Sequence, residues 1–346
     1  MTQTRLAVVG LGDAGYTMHL PAAARLPGVT LVGACDTDQS RLVRASKTYD
    51  VACFAGFDEM MKSAKPDCVI IATPPDSHAP LTISALQAGC NVICEKPFVS
   101  AVDEAEAVIA AAKTSGRHVA VNHEFREMPI FRGVLDAVHA EGREKIVFAQ
   151  AWQQVALASS GGRVLHDAGV HLIDFMMSAF GSAPVSVSAS FSDGGGNGEA
   201  PDSIIALTLR FPGDCLGTIN INRVSKGENH YFDARVDTRS ASYRASFGGR
   251  ARFTAGLHRA KQPHLRVDYG VSGLAWKETG SKREIIARNP ADPRMQATRT
   301  VLERTLDAFD KHEAPPCTAE WARDVTRVIE AAHLGFEVEH AECGCG

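Results

Sequence analysis

Leu6-Ala7-Val8-Val9-Gly10-Leu11-Gly12-Asp13-Ala14-Gly15 decides how the chain begins to fold. A short apolar run ends in Gly-x-Gly-x-x-Gly, and a helical stretch follows. The first glycine of such a run permits a tight turn. The second lets backbone approach a pyrophosphate, and the third lets a helix pack closely on a strand. Exposed N–H groups at the helix N-terminus attract the anion. A second apolar run, 29–35, ends at Asp36, 21 residues after Gly15. An acid at that distance binds ribose hydroxyls. Gly10, Gly12, Asp13, Ala14, Gly15 and Asp36 are therefore read as dinucleotide-binding. A carboxylate at 36 repels a 2′-phosphate, and neither 37 nor 38 is arginine, so NAD is expected over NADP. Arg41 is near enough to moderate that preference.

Working outward, Pro21 removes a hydrogen bond from the first helix, so a bend or break is expected there. Residues 39–48 and 57–64 read as helices. Residues 67–72 form a third near-continuous apolar run, as strands covered on both faces require. It stops at Thr73-Pro74-Pro75-Asp76-Ser77-His78. Two prolines force a loop, and strand C-termini are where open α/β sheets bind ligands. Thr73, Pro74 and His78 are therefore expected beside the cofactor. A helix over 79–88, closed by Gly89, leads to a strand at 91–94 and then Glu95-Lys96-Pro97. Residues 102–114 read as a helix opened by Ser100. Residues 118–122 read as the last strand of the unit, placing Asn122 at its C-terminal end. Pro97 is expected to follow a cis peptide that aims Lys96.

The second half changes character. After a helix over 130–140, short β-branched and aromatic runs occur at 145–154, 185–191, 203–211, 216–222, 231–237 and 242–247. Several alternate polar and apolar residues, the mark of antiparallel strands covered on one face. Residues 193–198 read as a hairpin connection, and 249–293 as an irregular, basic, functional or subunit-facing region. Residues 295–311 and 319–340 read as helices. The fold class is α/β, with a Rossmann domain over 1–125. An α+β domain with a large open, mostly antiparallel sheet follows over 126–346.

Composition narrows the function. The chain has 346 residues and a net charge of −4, with no dense Lys/Arg block, so nucleic acid is not an expected partner. No apolar run reaches the ~20 residues of a membrane span. No secretory leader is read at the N-terminus, so a cytoplasmic protein is expected. The nine cysteines contain no Cys-x-x-Cys pair, so a zinc module is not expected and most should be reduced and buried. Cys343 and Cys345 are assigned to a frayed tail.

One further stretch carries chemistry: Asp167-Ala168-Gly169-Val170-His171-Leu172-Ile173-Asp174. On a helix, residues three and four apart share a face, so both carboxylates would flank the imidazole. A metal half-site, a proton-transfer pair and a tethered core histidine all fit. Two ligands fall short of the three or four that zinc takes. Lys96 alone is equally ambiguous, but at a strand end beside a dinucleotide site its ammonium can stabilise a developing alkoxide. Histidine has the natural pKa to exchange the hydroxyl proton.

The chain resembles the Gfo/Idh/MocA oxidoreductases, the glucose–fructose oxidoreductase and inositol dehydrogenase relatives. The likeness rests on Gly10–Gly15, His19-Leu-Pro21-Ala, Asp36, Ala72-Thr-Pro-Pro-Asp-Ser-His78, Ala88-Gly-Cys-Asn-Val92, Glu95-Lys96-Pro97 and Asp167–Asp174. Leu334-Gly335-Phe336 departs from the family's small-residue pattern. The resemblance implies Lys96, Asp167 and His171 as the catalytic trio. It places Glu95, Lys96 and Asn122 at the nicotinamide end of the site, with Arg126 beside them. It implies an NAD-dependent dehydrogenase of a sugar, cyclitol or related polyol that forms a homodimer or homotetramer. The family also includes glycosidases that oxidise transiently and a non-catalytic yeast repressor. Trp152, Gln153, Gln154, Arg163, Asn220, Asn222 and Arg223 are residue types that sugar sites use, and Trp152 and Arg163 are taken as substrate contacts.

Overall fold

The computed structural model describes residues 3–155, 163–194, 202–227, 230–248 and 273–334, with short strand stretches between 250 and 270. The chain divides into two compact units. One comprises residues 1–127 and 294–330, the other residues 128–293 and 331–346.

The first unit is a six-stranded parallel sheet: β1 (Thr4–Val9), β2 (Val29–Cys35), β3 (Cys53–Phe54), β4 (Cys68–Ile71), β5 (Asn91–Glu95) and β6 (Val119–Asn122). The strand order is β3-β2-β1-β4-β5-β6. Successive side chains of a strand point to opposite faces, and both faces are buried here. Ala7, Val9, Val69, Ile71, Val92 and Cys94 share one core. Leu6, Val8, Cys68, Ile70 and Ile93 share the other. The helical backbone is not broken at Pro21, because the proline falls in the first turn after a π-helical turn, where its missing N–H is tolerated. A π-helical turn, Gly15–His19, gives way to a short helix α1 (Leu20–Ala24), with Pro21 near its start.

Helices α2 (Gln39–Tyr49), α3 (Phe57–Ala64), α4 (His78–Gln87) and α5 (Val102–Ser115) follow their expected places. Ser100 does not cap α5. The capping position is Ala101, while Glu104 reaches back to accept the Ser100 N–H at 2.9 Å. Order reverses between β1 and β4. The loops after these two strands therefore face one crevice, the place where such sheets take ligands.

The second unit begins with α6 (Pro129–Glu141), β7 (Ile146–Gln154) and α7 (Val170–Phe180). Strands β8 (Ser186–Ser192), β9 (Ile204–Phe211), β10 (Cys215–Asn222), β11 (His230–Thr238) and β12 (Ser242–Gly248) follow. Short pairs come next: β13 (Arg250–Arg252), β14 (Ala255–Gly256), β15 (His264–Leu265) and β16 (Asp268–Gly270). The last strands are β17 (Leu274–Thr279) and β18 (Lys282–Arg288). An eight-stranded sheet runs β18-β17-β12-β11-β7-β10-β9-β8, antiparallel except where β7 meets β10.

Helices α6 and α7 cover one face. Phe131 of α6 stacks on Phe232 of β11 at 4.2 Å, and Phe175 of α7 meets both rings edge-on. Burying each such ring contributes roughly 1.5–3 kcal/mol. A Cβ at Gly217 would collide with Met176 of α7, so β10 packs tightly beneath that helix. Gly217, Ile219 and Ile221 therefore face the helices, and Thr218, Asn220 and Asn222 face away.

One expectation is corrected in this unit. The region 249–293 is not wholly irregular, because β17 and β18 extend the sheet. An edge strand such as Lys282–Arg288 is largely exposed and charged, so it lacks the apolar alternation that marks a covered strand. The helix read over 319–340 is described as α9 (Ala319–Leu334), after α8 (Pro293–Asp310). Its remainder, Cys343 and Cys345, and most of the expected 193–198 loop lie outside the described residues.

Candidate active site

Gly10 follows β1 with φ +87°, where L side chains are rarely found, and a Cβ there would lie 2.5 Å from the Ala72 carbonyl oxygen. A Cβ on Gly15 would strike the Gly10 carbonyl. Both positions are closed by the protein's own backbone. Gly12 is different: its nearest neighbour would be Arg41 Nη1, at 4.0 Å. Nothing among the described residues demands glycine there, so the space beside it suits the approach of a ligand's phosphates.

Asp36, at the end of β2, is 8% exposed. Its Oδ2 accepts the Leu11 N–H at 2.7 Å, tying the glycine loop to β2, and its Oδ1 accepts the Asp38 N–H at 2.8 Å. A carboxylate offers about four acceptor sites, which leaves capacity for ribose hydroxyls. Arg41 lies 3.4 Å from Asp36 and 3.6 Å from Asp38. A cavity of roughly 570 Å³ is lined by Gly10, Gly12, Asp36, Arg41, Thr73 and Pro74, among others. This acceptor and this open glycine fit a dinucleotide. Asp13 and Ala14 open the helix that follows, as expected.

His78 does not line that cavity. It is 1% exposed, and its ring nitrogens face the backbone carbonyls of Thr73, Pro97 and Phe98.

At the end of β5, Glu95 is buried and its oxygens are occupied. Oε1 pairs with His19 Nε2 at 2.6 Å and accepts the Asn122 amide at 2.7 Å. Oε2 accepts the Lys96 N–H at 2.9 Å. Burial alone would raise the Glu95 carboxyl. The His19 hydrogen bond and charge, the Lys96 charge and the Asn122 amide outweigh it and hold it at about 2. Glu95 thus anchors the backbone of Lys96, and the Lys96–Pro97 peptide is cis, as expected. Asn122 is itself fully buried.

Glu124, also fully buried, is pushed up to about 7 by burial and by the Glu95 charge, against the opposing charges of Arg294 and Lys96. A carboxyl raised in this way favours folding most below its ordinary range. That contribution is lost as pH climbs through about 7. Arg126 is held within the same unit. It donates to the Pro316 carbonyl at 3.2 Å, and its guanidinium lies 5.2 Å from the Trp321 ring centroid.

In the second unit the Asp167 stretch is not one regular helix. Leu165–Gly169 form a π-helical turn before α7. The buried Asp202 carboxylate accepts the Val164 N–H at 2.8 Å at the start of that turn. Asp167 is half-exposed and lies 3.6 Å from the buried Arg223 guanidinium, which follows β10. The Asp167 N–H donates to the Arg163 carbonyl at 2.9 Å. His171 is 7% exposed and Asp174 is 1% exposed. Asp174 is thus a buried residue.

Gln150, Trp152 and Gln154 project from the opposite face of the sheet. With Asn220, Asn222 and Ile204 they line a hollow of about 420 Å³. The structure therefore does not bring Trp152 together with His171. Gln153 points to the covered face, where its amide donates to the Tyr231 carbonyl.

Sequence reading gave no role to His19, Glu124 or Arg294. His19 is separated from Glu95 by 76 positions. The only local sign was a histidine shortly after the glycine loop.

Residues 4–123 match the model of an oxidoreductase family described by its NAD-binding Rossmann fold. Residues 133–244 match the GFO/IDH/MocA C-terminal domain. The chain is 26% identical to Oxidoreductase P35 of Formosa agariphila over 341 residues, 93% of this chain and 96% of that protein. It is 29% identical to D-apiose dehydrogenase of Paraburkholderia graminis over 51% of this chain, and spans only 49% of that protein's length. An oxidoreductase from Agrobacterium radiobacter, solved with NAD+, L-tartaric acid and magnesium, superposes with a TM-score of 0.82. It is 14% identical, with 96% of each chain covered.

Proposed function

Because the chain belongs to the Gfo/Idh/MocA oxidoreductase family, we propose that it transfers a hydride between NAD and a ring hydroxyl or ketone of a sugar, cyclitol or related polyol. The observation that carries this reading is the Glu95 anchor. It fixes Lys96 at the C-terminal end of β5, two strands from β1 and the open Gly12.

Gly10, Gly12, Gly15, Asp36, Thr73 and Pro74 hold the dinucleotide, which supplies the hydride acceptor when bound. Lys96 hydrogen-bonds the substrate oxygen and stabilises its developing negative charge. His171 takes the hydroxyl proton in oxidation and returns it in reduction. Asp167, steadied by Arg223, orients the histidine or a neighbouring hydroxyl, and Arg163 borders the same place. Arg126 and Trp152 are left out of the substrate set. The first is held by the Pro316 carbonyl, and the second stands across the sheet from α7. On the family resemblance alone, the second unit binds substrate and joins copies into a homodimer or homotetramer.

NAD is preferred because the Asp36 carboxylate repels a 2′-phosphate and engages Arg41. Asp36→Ala should raise the NADP-to-NAD ratio of kcat/KM by about 10-fold or more, because Arg41 is then released toward the phosphate. An unchanged ratio would remove Asp36 as the discriminator. The function itself is tested by NADH formation across a panel of sugars, cyclitols and anhydrosugars. Stoichiometric NADH supports the dehydrogenase; glycoside cleavage without net reduction rejects it.

A further inference from the structure

We propose that His78 is a positioning residue that works as a buried imidazolium. Its two N–H groups tie the Thr73 loop, a wall of the nucleotide cavity, to the Pro97–Phe98 segment that follows Lys96. The ring is 1% exposed. Nε2 lies 2.8 Å from the Thr73 carbonyl oxygen. Nδ1 lies 2.9 Å from the Pro97 carbonyl and 3.2 Å from the Phe98 carbonyl.

A carbonyl oxygen only accepts, and a neutral imidazole has one N–H and one bare nitrogen. Either neutral tautomer would press a lone pair against a carbonyl lone pair, away from water. Turning the ring over does not help, because its carbons would then meet the carbonyls and every contact would be lost. Only the doubly protonated ring satisfies both sides.

The surroundings agree with that state. Burial lowers the basicity of the ring. The neighbouring Cys94 side chain and the carbonyls of Thr73 and Pro97 oppose it, and the outcome is a rise to about 9. Cys94, on β5, is the titratable side chain that acts on the ring; the two loops present backbone carbonyls to it. A raised histidine stabilises the fold fully below its ordinary range near ~6.5. That contribution is lost as pH climbs through about 9.

The consequence rests on the assignment of Lys96 and the cavity given above. Lys96 immediately precedes Pro97, and Thr73 and Pro74 line the nucleotide cavity. One buried cation therefore sets the spacing between the cofactor wall and the lysine backbone. Its loss loosens both without removing a group that touches either ligand.

The test is nitrogen-15 NMR of the labelled, unmodified chain, with the His78 signals assigned from their absence in His78→Gln. The proposal requires two protonated ring nitrogens at neutral pH, titrating together near pH 9. A single protonated nitrogen at neutral pH overturns it. Calorimetry then separates positioning from folding. Folded His78→Gln should bind NAD about tenfold more weakly, and it should lack the fall in affinity expected of the unmodified chain near pH 9. Unchanged affinity with an unchanged pH profile rejects the positioning role. Neither readout requires turnover, so both can fail while the dehydrogenase reading stands, or stand while it fails.

Discussion

Lys96→Ala is expected to lower kcat by about three orders of magnitude, the usual loss when a donor that stabilises a developing oxyanion is removed. NAD affinity should change by no more than about threefold, because the phosphates and ribose are held by the glycine loop and Asp36. The backbone of position 96 stays anchored by Glu95 whatever its side chain. The fold should therefore survive. His171→Ala should cost about 10²–10⁴ in kcat through loss of the proton acceptor. Its deficit should shrink at high pH, where the substrate hydroxyl yields its proton more readily. Stopped-flow hydride transfer with NAD titrations measures both variants. Full turnover in either removes that residue from the mechanism.

The second large effect is expected at the glycine loop, where two neighbouring substitutions should part company. Gly15→Ala sets a Cβ against the Gly10 carbonyl, a backbone atom that cannot rotate away. Overpacking of this kind costs about 1–3 kcal/mol, and NAD binding should fall by about 100-fold or more as the turn shifts. Among the described residues, and its chain neighbours aside, Gly12→Ala meets no atom nearer than 4.0 Å. Its stability should stay within about 0.5 kcal/mol of the parent, while NAD affinity falls at least about tenfold because the methyl occupies the ligand's space. Thermal denaturation and calorimetry separate the two. Normal NAD binding by Gly12→Ala would mean that the phosphates lie elsewhere.

What the sequence made legible was local. Gly10 to Asp36 is a self-contained β-turn-α-β signal whose spacing carries its own explanation. The cis peptide before Pro97 was also expected from a short motif. What stayed hidden depends on partners far along the chain. Glu95 reads as a cofactor contact until His19, Asn122 and the Lys96 N–H are seen to occupy its oxygens. His78 reads the same way until the carbonyls of Thr73, Pro97 and Phe98 enclose it.

Trp152 and Gln153 lie on opposite faces of β7, though the sequence grouped them together. Which face the helices cover is decided by Met176 against Gly217 and by the Phe131–Phe175–Phe232 cluster. The Asp167 stretch was legible as an acid–imidazole pair. Its π-helical turn was not, because the i,i+4 spacing assumes a regular helix. Strand β18 was missed because an exposed edge has no covered face to mark.

The central claim is direct hydride transfer from a carbinol carbon to the nicotinamide. The measurement that reaches it most directly is mass spectrometry of the dinucleotide after incubation of the chain and NAD with carbon-deuterated sugars and cyclitols. One deuterium is expected in the nicotinamide ring with at least one polyol, accumulating about a thousandfold more slowly with the Lys96→Ala variant. Unlabelled dinucleotide from every polyol, in a preparation that binds NAD, would contradict it.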